Sequence, residues 1–215
     1  MSEQRAYTII DKLITAFDQG IKVLMNNTAA ASRENPAKEI PETNLSLLEK
    51  RHSVSLLRVD HAGEICAQAL YQGQALGARE SSIVDKLRQA SKEENDHLKW
   101  CHERIIELKG RVSYLNPLWY GGAFSLGVLA GAIGDQWSLG FLAETEWQVV
   151  EHLNDHLQRL PIDDKKSQAI LQTLRDDEQH HATSAEQIGA HALPYPIKLI
   201  MRVMSKVMTT TAYWV

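Results

Sequence analysis

Cysteine is nearly absent from the chain: Cys66 and Cys101 are the only two in 215 residues. Two thiols this far apart make neither a disulfide framework nor a zinc-ligand spacing, and they suit a reducing, intracellular setting. Proline and glycine are also scarce, at six and twelve. Long stretches contain neither, which argues against turn-rich all-β architectures. An excess of base is missing as well. Lys and Arg number 23 against 27 Asp and Glu, a formal charge of −4 with a pI near 6.1, so the basic footprint of a general nucleic-acid binder is excluded. The start, MSEQRAYTIIDKL, has no basic-then-apolar pattern, so neither a secretory signal nor a transit peptide is expected. What is left is an ordinary globular mixture, 44% hydrophobic and 23% charged, large enough to bury a core.

Helical periodicity runs through that mixture. From about Arg5 to Asn26, the residues Ile10, Leu13, Ile14, Phe17, Ile21 and Leu24 share one face, which reads as a packing or dimer helix. Asn27 to Thr43 is small, polar and broken by Pro36 and Pro41, so it reads as a linker. Residues 1–44 therefore stand apart from 45–215. A helix is expected from Leu45 to about Arg79, followed by a turn and capping signal at Glu80-Ser81-Ser82. The next runs to about Lys109 and stops at Gly110. Asn116-Pro117 opens an apolar, glycine-rich segment to Gly134. Further helices are expected from about Ser138 to Leu160, from after Asp163 to about Gly189, and from Ile197 to about Thr211. No alternating strand pattern or Asn-Gly hairpin occurs, so the fold class is all-α.

The chemistry lies in a recurring Glu-x-x-His. It occurs at Glu49/His52, Glu94/His97 and Glu178/His181, and on a helix the two members project from nearly the same face. A di-metal four-helix bundle pairs two such helices with two that carry a lone inward Glu. Glu64 lies fifteen residues before Arg79, and Glu94 about a dozen after the turn. At ~1.5 Å per residue both arms are roughly 20 Å long, so the two acids sit level. The second hairpin repeats the pattern, with Glu146 fifteen residues before Pro161 and Glu178 fifteen after Asp163. The same measure sets Glu49 and His52 aside as surface residues, because His52 lies roughly 18 Å along the helix from Glu64.

Spacing leaves two registers open. Asp177 and His180 shadow Glu178 and His181 one residue earlier, and Glu144, Glu146 and Glu151 all qualify on the third bundle helix. Glu146, among Val149, Val150 and Leu153, is the better candidate for burial beside a cation. Four carboxylates and two imidazoles suit iron or manganese better than zinc. His61 and His152 lie close enough in sequence to Glu64 and Glu146 to hold a ligand in place by hydrogen bonding, although packed or surface roles fit them equally.

The run LRVDHAGE ending at Glu64, EENDH around Glu94 and His97, NPLWYGGAF, and RDDEQHH ending at His181 resemble the demethoxyubiquinone hydroxylases of ubiquinone biosynthesis. The resemblance covers about residues 50–215. It implies a ferritin-like di-iron monooxygenase with Glu64, Glu94, His97, Glu146, Glu178 and His181 as iron ligands. It thereby selects Glu146 and the Glu178/His181 register, and strengthens the case for His152 near the metals. It also implies two Fe(II) ions, O₂ as co-substrate, a polyprenylated demethoxyubiquinol as substrate, and electrons from the quinol or from NADH. No G-x-G-x-x-G dinucleotide signature is present. Partner proteins of the pathway and a homo-oligomer are compatible with the resemblance, which says nothing of residues before about 45.

Two segments bear on a membrane. Residues 112–134 carry no charge, but Pro117 and five glycines dilute them, so a packed or partly inserted crossover is expected rather than a span. After Glu186 no acid occurs, and Lys198, Arg202 and Lys206 recur every four residues beside Ile197, Ile200, Met204 and Val207. Such a helix suits peripheral attachment to an anionic surface, here the cytoplasmic side of a bacterial inner membrane. An iron-storage ferritin is the alternative reading of the ligand set.

Overall fold

In the computed structural model, which describes residues 8–215, seven α-helices and no strand occur among the described residues. The helices are α1 (Ile9–Leu24), α2 (Leu47–Gly77), α3 (Ser81–Glu107), α4 (Asn116–Ile133), α5 (Asp135–Arg159), α6 (Lys165–Gln187) and α7 (Tyr195–Trp214). The expected start of the first helix at Arg5, and the side chain of Leu13, lie outside the described residues.

Local signals set most of the ends. Thr8 with Asp11 and Ser46 with Glu49 form capping boxes at α1 and α2, each satisfying N–H groups that a helix start leaves without partners. Glu49 is therefore a cap. His52 is half-buried rather than solvated: its Nδ1 lies 2.8 Å from the Tyr213 hydroxyl and its Nε2 3.0 Å from the Arg159 carbonyl, which pins α7 and the end of α5 to α2. The capping signal at Glu80-Ser81-Ser82 behaves differently, since Glu80 makes no side-chain cap. The amides of Arg79 and Glu80 instead donate to the Asp135 carboxylate, at 3.1 and 3.0 Å.

The bundle consists of two hairpins, α2 with α3 and α5 with α6. One apolar cluster fills its lower half, including Leu56, Leu57, Trp100, Ile105, Leu153 and Leu171. A second, with Tyr71, Leu87, Leu139 and Leu142, fills the upper half. Each fully buried large side chain contributes about 1.5–3 kcal/mol. The acids at Glu64, Glu94, Glu146 and Glu178 fall between these two clusters along all four helices.

The charge-free segment is helix α4, packed along α2 at close range. A Cβ on Gly127 would sit 2.3 Å from the Leu70 carbonyl oxygen, and one on Gly73 would sit 2.4 Å from that of Phe124. Only glycine permits that approach. No helix of the structure is long and apolar enough to cross a membrane. Among the described residues nothing covers the apolar face of α1: Ile10, Ile14, Phe17 and Ile21 are exposed, while Ala16 and Val23 turn inward. Helix α7 leaves Ile200, Val203 and Val207 exposed. Its Lys198 is held against α5 by Glu144, at 2.6 Å.

Candidate metal centre

Each bundle helix brings acid to the same level. Ligand-capable atoms of Glu64, Glu94, His97 and Glu178 all lie within 4.8 Å of one another. His97 Nδ1 is 3.0 Å from Glu94, 3.2 Å from Glu178 and 3.7 Å from Glu64. His181 Nδ1 is 3.1 Å from Glu94 and 3.2 Å from Glu178. Glu146 joins through Tyr71, whose buried hydroxyl lies 2.5 Å from Glu146 and 3.1 Å from Glu94, with one proton to share between them. All six sequence candidates thus surround one volume, and all are buried. Of the competing acids on α5, Glu151 is exposed and Glu144 faces Lys198.

The shadow register has a task of its own. Asp177 Oδ2 lies 2.8 Å from His97 Nε2, so that Asp177 and its neighbour Glu178 flank the two nitrogens of one imidazole on the opposite hairpin. Glu93, which precedes Glu94 as Asp177 precedes Glu178, lies 2.7 Å from His181 Nε2. Each acid thus holds the imidazole of the opposite hairpin and turns its Nδ1 inward, as carboxylates do behind metal-bound histidines. His180 is exposed. Sequence reasoning missed Glu93 and Tyr71. The first was legible as the counterpart of Asp177, and the second as two helical turns beyond Glu64.

Electrostatics describe a cluster that suits a cation. Burial, with Glu94 and Glu178 as neighbours, pushes the Glu64 carboxyl well above its usual range. Burial and the same two acids do so for Glu146. Burial opposes charge on His97 and His181, but the carboxylates around them win. His97 is held well above the usual imidazole range and His181 is pushed up to about 12. Among the described residues, no Lys or Arg pairs with Glu64, Glu94, Glu146 or Glu178. Two imidazoles do not suffice to keep four buried carboxylates ionised together, and divalent cations in their place would. The donor set, oxygen with imidazole and no thiolate, fits iron or manganese. Burial pushes both thiols upward, Cys66 to about 12, which keeps them out of it.

A second group lies one turn away on α2. Asp60 Oδ1 is 2.8 Å from His156 Nδ1 and 3.4 Å from His152 Nε2. Burial opposes its ionisation, yet the two histidines hold its carboxyl down at about 2. His152 therefore faces Asp60 rather than a ligand carboxylate. His61 has no hydrogen-bond partner for either ring nitrogen and lies against His102, with ring centroids 5.7 Å apart. Burial pushes it down to about 3, so it is a neutral packed imidazole with no bond to the acids. Sequence reasoning also missed Asp60 and His156, for which the available signal is spacing, four residues from Glu64 and from His152.

Two clefts reach the cluster from different sides. One, between α2, α5 and α7, is lined by Val59, Asp60, Glu64, His152 and Met208. The other, between α3, α5 and α6, is lined by Lys86, Gln89, Glu93, His180, His181 and Ser184.

Residues 51–212 match the family described as ubiquinone biosynthesis protein COQ7. The chain is similar to the 3-demethoxyubiquinol 3-hydroxylase of Nitrosomonas eutropha, at 54% identity over 96% of this chain and 99% of that protein. The enzyme of the same name from Chromobacterium violaceum is 53% identical over 95% and 99%. That of Acinetobacter baumannii is 48% identical over 98% and 99%.

Proposed function

The chain belongs to the COQ7 family of ubiquinone biosynthesis proteins, and from that premise we infer that it hydroxylates the ring of 3-demethoxyubiquinol with O₂ at a pair of iron ions. The observation that carries this reading is the buried cluster of four carboxylates with two Nδ1 atoms turned towards them, one Glu and one Glu-x-x-His from each hairpin. Glu64, Glu94, His97, Glu146, Glu178 and His181 hold the metals. When bound, the irons supply the redox chemistry that lets O₂ deliver one oxygen atom to the ring while the other leaves as water. Two electrons and two protons complete that balance, the electrons coming from a quinol or from NADH.

The chain's own residues prepare and shield the site. Tyr71 fixes Glu94 and Glu146 through one hydroxyl, while Asp177 and Glu93 fix the two imidazoles. The cleft between α2, α5 and α7 offers the quinol head apolar walls, Val59 and Met208, beside Glu64. His152 lines that cleft, and a proton it takes from a ring hydroxyl faces the ionised Asp60 carboxylate. The uncovered apolar side chains of α1, α4 and α7, with Arg202 and Lys206 on α7, support peripheral association with the bilayer in which a polyprenyl tail resides. The cytoplasmic face of a bacterial inner membrane is the site this implies.

Turnover tests the reading. Anaerobically iron-loaded protein, given a reductant and O₂, is expected to convert demethoxyubiquinol to its ring-hydroxylated form, and Glu178→Ala is expected to do so at least about 100-fold more slowly. Bulk oxidation of Fe(II) to mineral without quinol turnover would instead identify a storage protein.

A further inference from the structure

The segment joining α1 to α2 is bound to the bundle along its length. The Asn95 amide donates to the Ala29 carbonyl at 3.1 Å, and the Ser32 amide and hydroxyl donate to Asp96, each at 2.8 Å. Asn35 donates to Glu103 at 2.8 Å. Farther on, Glu42 pairs at 2.6 Å with the buried Arg104, and the Thr43 hydroxyl donates to the Asp163 carbonyl at 2.6 Å. Residues 29–43 thus form a strap across α3 that reaches the start of α6.

Arg33 lies at the centre of the strap, directly over one imidazole. Its Nη1 is 2.8 Å from Asp177, its Nε 3.3 Å from Asp96 and its Nη2 3.2 Å from His97 Nε2. The guanidinium carbon stands 5.0 Å from the centre of the Trp100 ring, itself packed against His97. The carboxylate behind His97 is therefore clamped by a permanent cation, and the imidazole has no exposed surface. The other half lacks the direct clamp and the cover, although the charge of Arg33 acts on Glu93 from beyond ion-pair distance. Glu93, behind His181, pairs with no Lys or Arg among the described residues and is held by Gln89 at 2.9 Å. His181 opens onto the cleft between α3, α5 and α6.

We propose that the strap, acting through Arg33, makes the two metal positions kinetically unequal. The ion held through His97 is locked in, and the ion held through His181 exchanges through the cleft lined by Lys86, Gln89, Glu93 and Ser184. Arg33 is a positioning residue: it holds Asp177, which holds His97, and it covers the Nε2 edge of that imidazole. Ligands whose outer partners are fixed release metal more slowly. The inference rests on the di-metal reading and adds an order of exchange to it.

Metal release from the full chain tests it without any turnover. Protein loaded with two Co(II) ions is challenged with excess chelator and followed by the loss of the cobalt absorption bands. Two phases of equal amplitude are expected, separated at least tenfold in rate. Arg33→Gln is expected to speed the slow phase at least tenfold and to leave the fast phase within twofold. Arg33→Lys, which keeps the cation, retains most of the separation. Should Arg33→Gln not fold, Glu93→Gln gives the complementary readout, a faster fast phase with the slow phase unchanged. Release of both ions in one phase from the unmodified protein, or equal acceleration of both phases in Arg33→Gln, overturns the inference while leaving the di-metal reading intact. A chain that binds no metal overturns both.

Discussion

Glu94 with His97, and Glu178 with His181, come from the same three-residue step on neighbouring helices, and each imidazole leans on an acid of the opposite hairpin. Around this shared core the two halves diverge. Over His97 lie a strap, an arginine and an indole ring, while His181 looks into an open cleft. The lone acids differ too. Four and three residues before Glu64 stand Asp60 and His61, whereas the same offsets from Glu146 give the buried apolar Leu142 and Ala143. A repeated pattern thus builds the cluster of carboxylates and imidazoles, and non-repeated residues surround its two sides differently. Metal sites need the first feature for geometry and the second for selective access.

The largest expected effect tests the shared core. His97→Ala and His181→Ala should each lower turnover at least about 100-fold, more than loss of an outer partner alone produces. Metal analysis after reconstitution should show each variant short of two ions per chain. If one variant keeps both ions and near-normal turnover, the halves do not share a core.

The next effect separates the halves through their outer acids. Asp177→Asn and Glu93→Gln should each weaken metal binding by about 10–100-fold, the usual consequence of removing a carboxylate behind a ligand histidine. Asp177→Asn is expected to be the more damaging, because Asp177 serves both His97 and Arg33, which lie 2.8 Å from it. Competitive titration against a chelator of known affinity orders the two. Equal effects, or a larger loss in Glu93→Gln, would show that the strap adds nothing to its half.

How much of this was legible depends on the range of the contact. The level of the Glu-x-x-His pairs was read from i,i+3 spacing and matched arm lengths, because helix geometry converts sequence distance directly into height along the bundle, while the register at Glu178 and the choice of Glu146 came from the family resemblance. Helix ends at Gly110, Pro161 and Pro196 followed from local backbone chemistry in the same way. The strap was not legible as one. Residues 27–43 look like any polar, proline-broken linker, and Arg33 meets Asp177 only after the chain has folded both hairpins. The partner of the α1 face stayed open for a related reason: periodicity shows that Ile10, Ile14, Phe17 and Ile21 share a side, but not whether this chain supplies their partner. Glu93 was hidden by attention to the stronger Glu-x-x-His signal beside it.

The smallest effect concerns the residue that has no counterpart in the second hairpin. His61 is fully buried and pushed down to about 3 by burial and by His102, whereas an imidazole in the unfolded chain has its ordinary value of about 6.5. Between these values the unfolded state takes up a proton that the folded state refuses, so stability falls as pH drops from about 6.5 towards 3. Above about 6.5 both states are neutral at this position and the pH dependence from His61 vanishes. Going from pH 7 to pH 5 the expected loss from this one group is about 2 kcal/mol. His61→Leu removes the titration and also relieves two buried ring nitrogens of their missing partners. Urea unfolding of both proteins at the two pH values reads the difference. The variant should lose about 2 kcal/mol less than the unmodified chain, and parallel losses would mean that His61 finds a proton or a partner in the folded state. That outcome would also narrow the comparison, since the position opposite Ala143 would then carry a working imidazole beside Glu64 rather than a packed one.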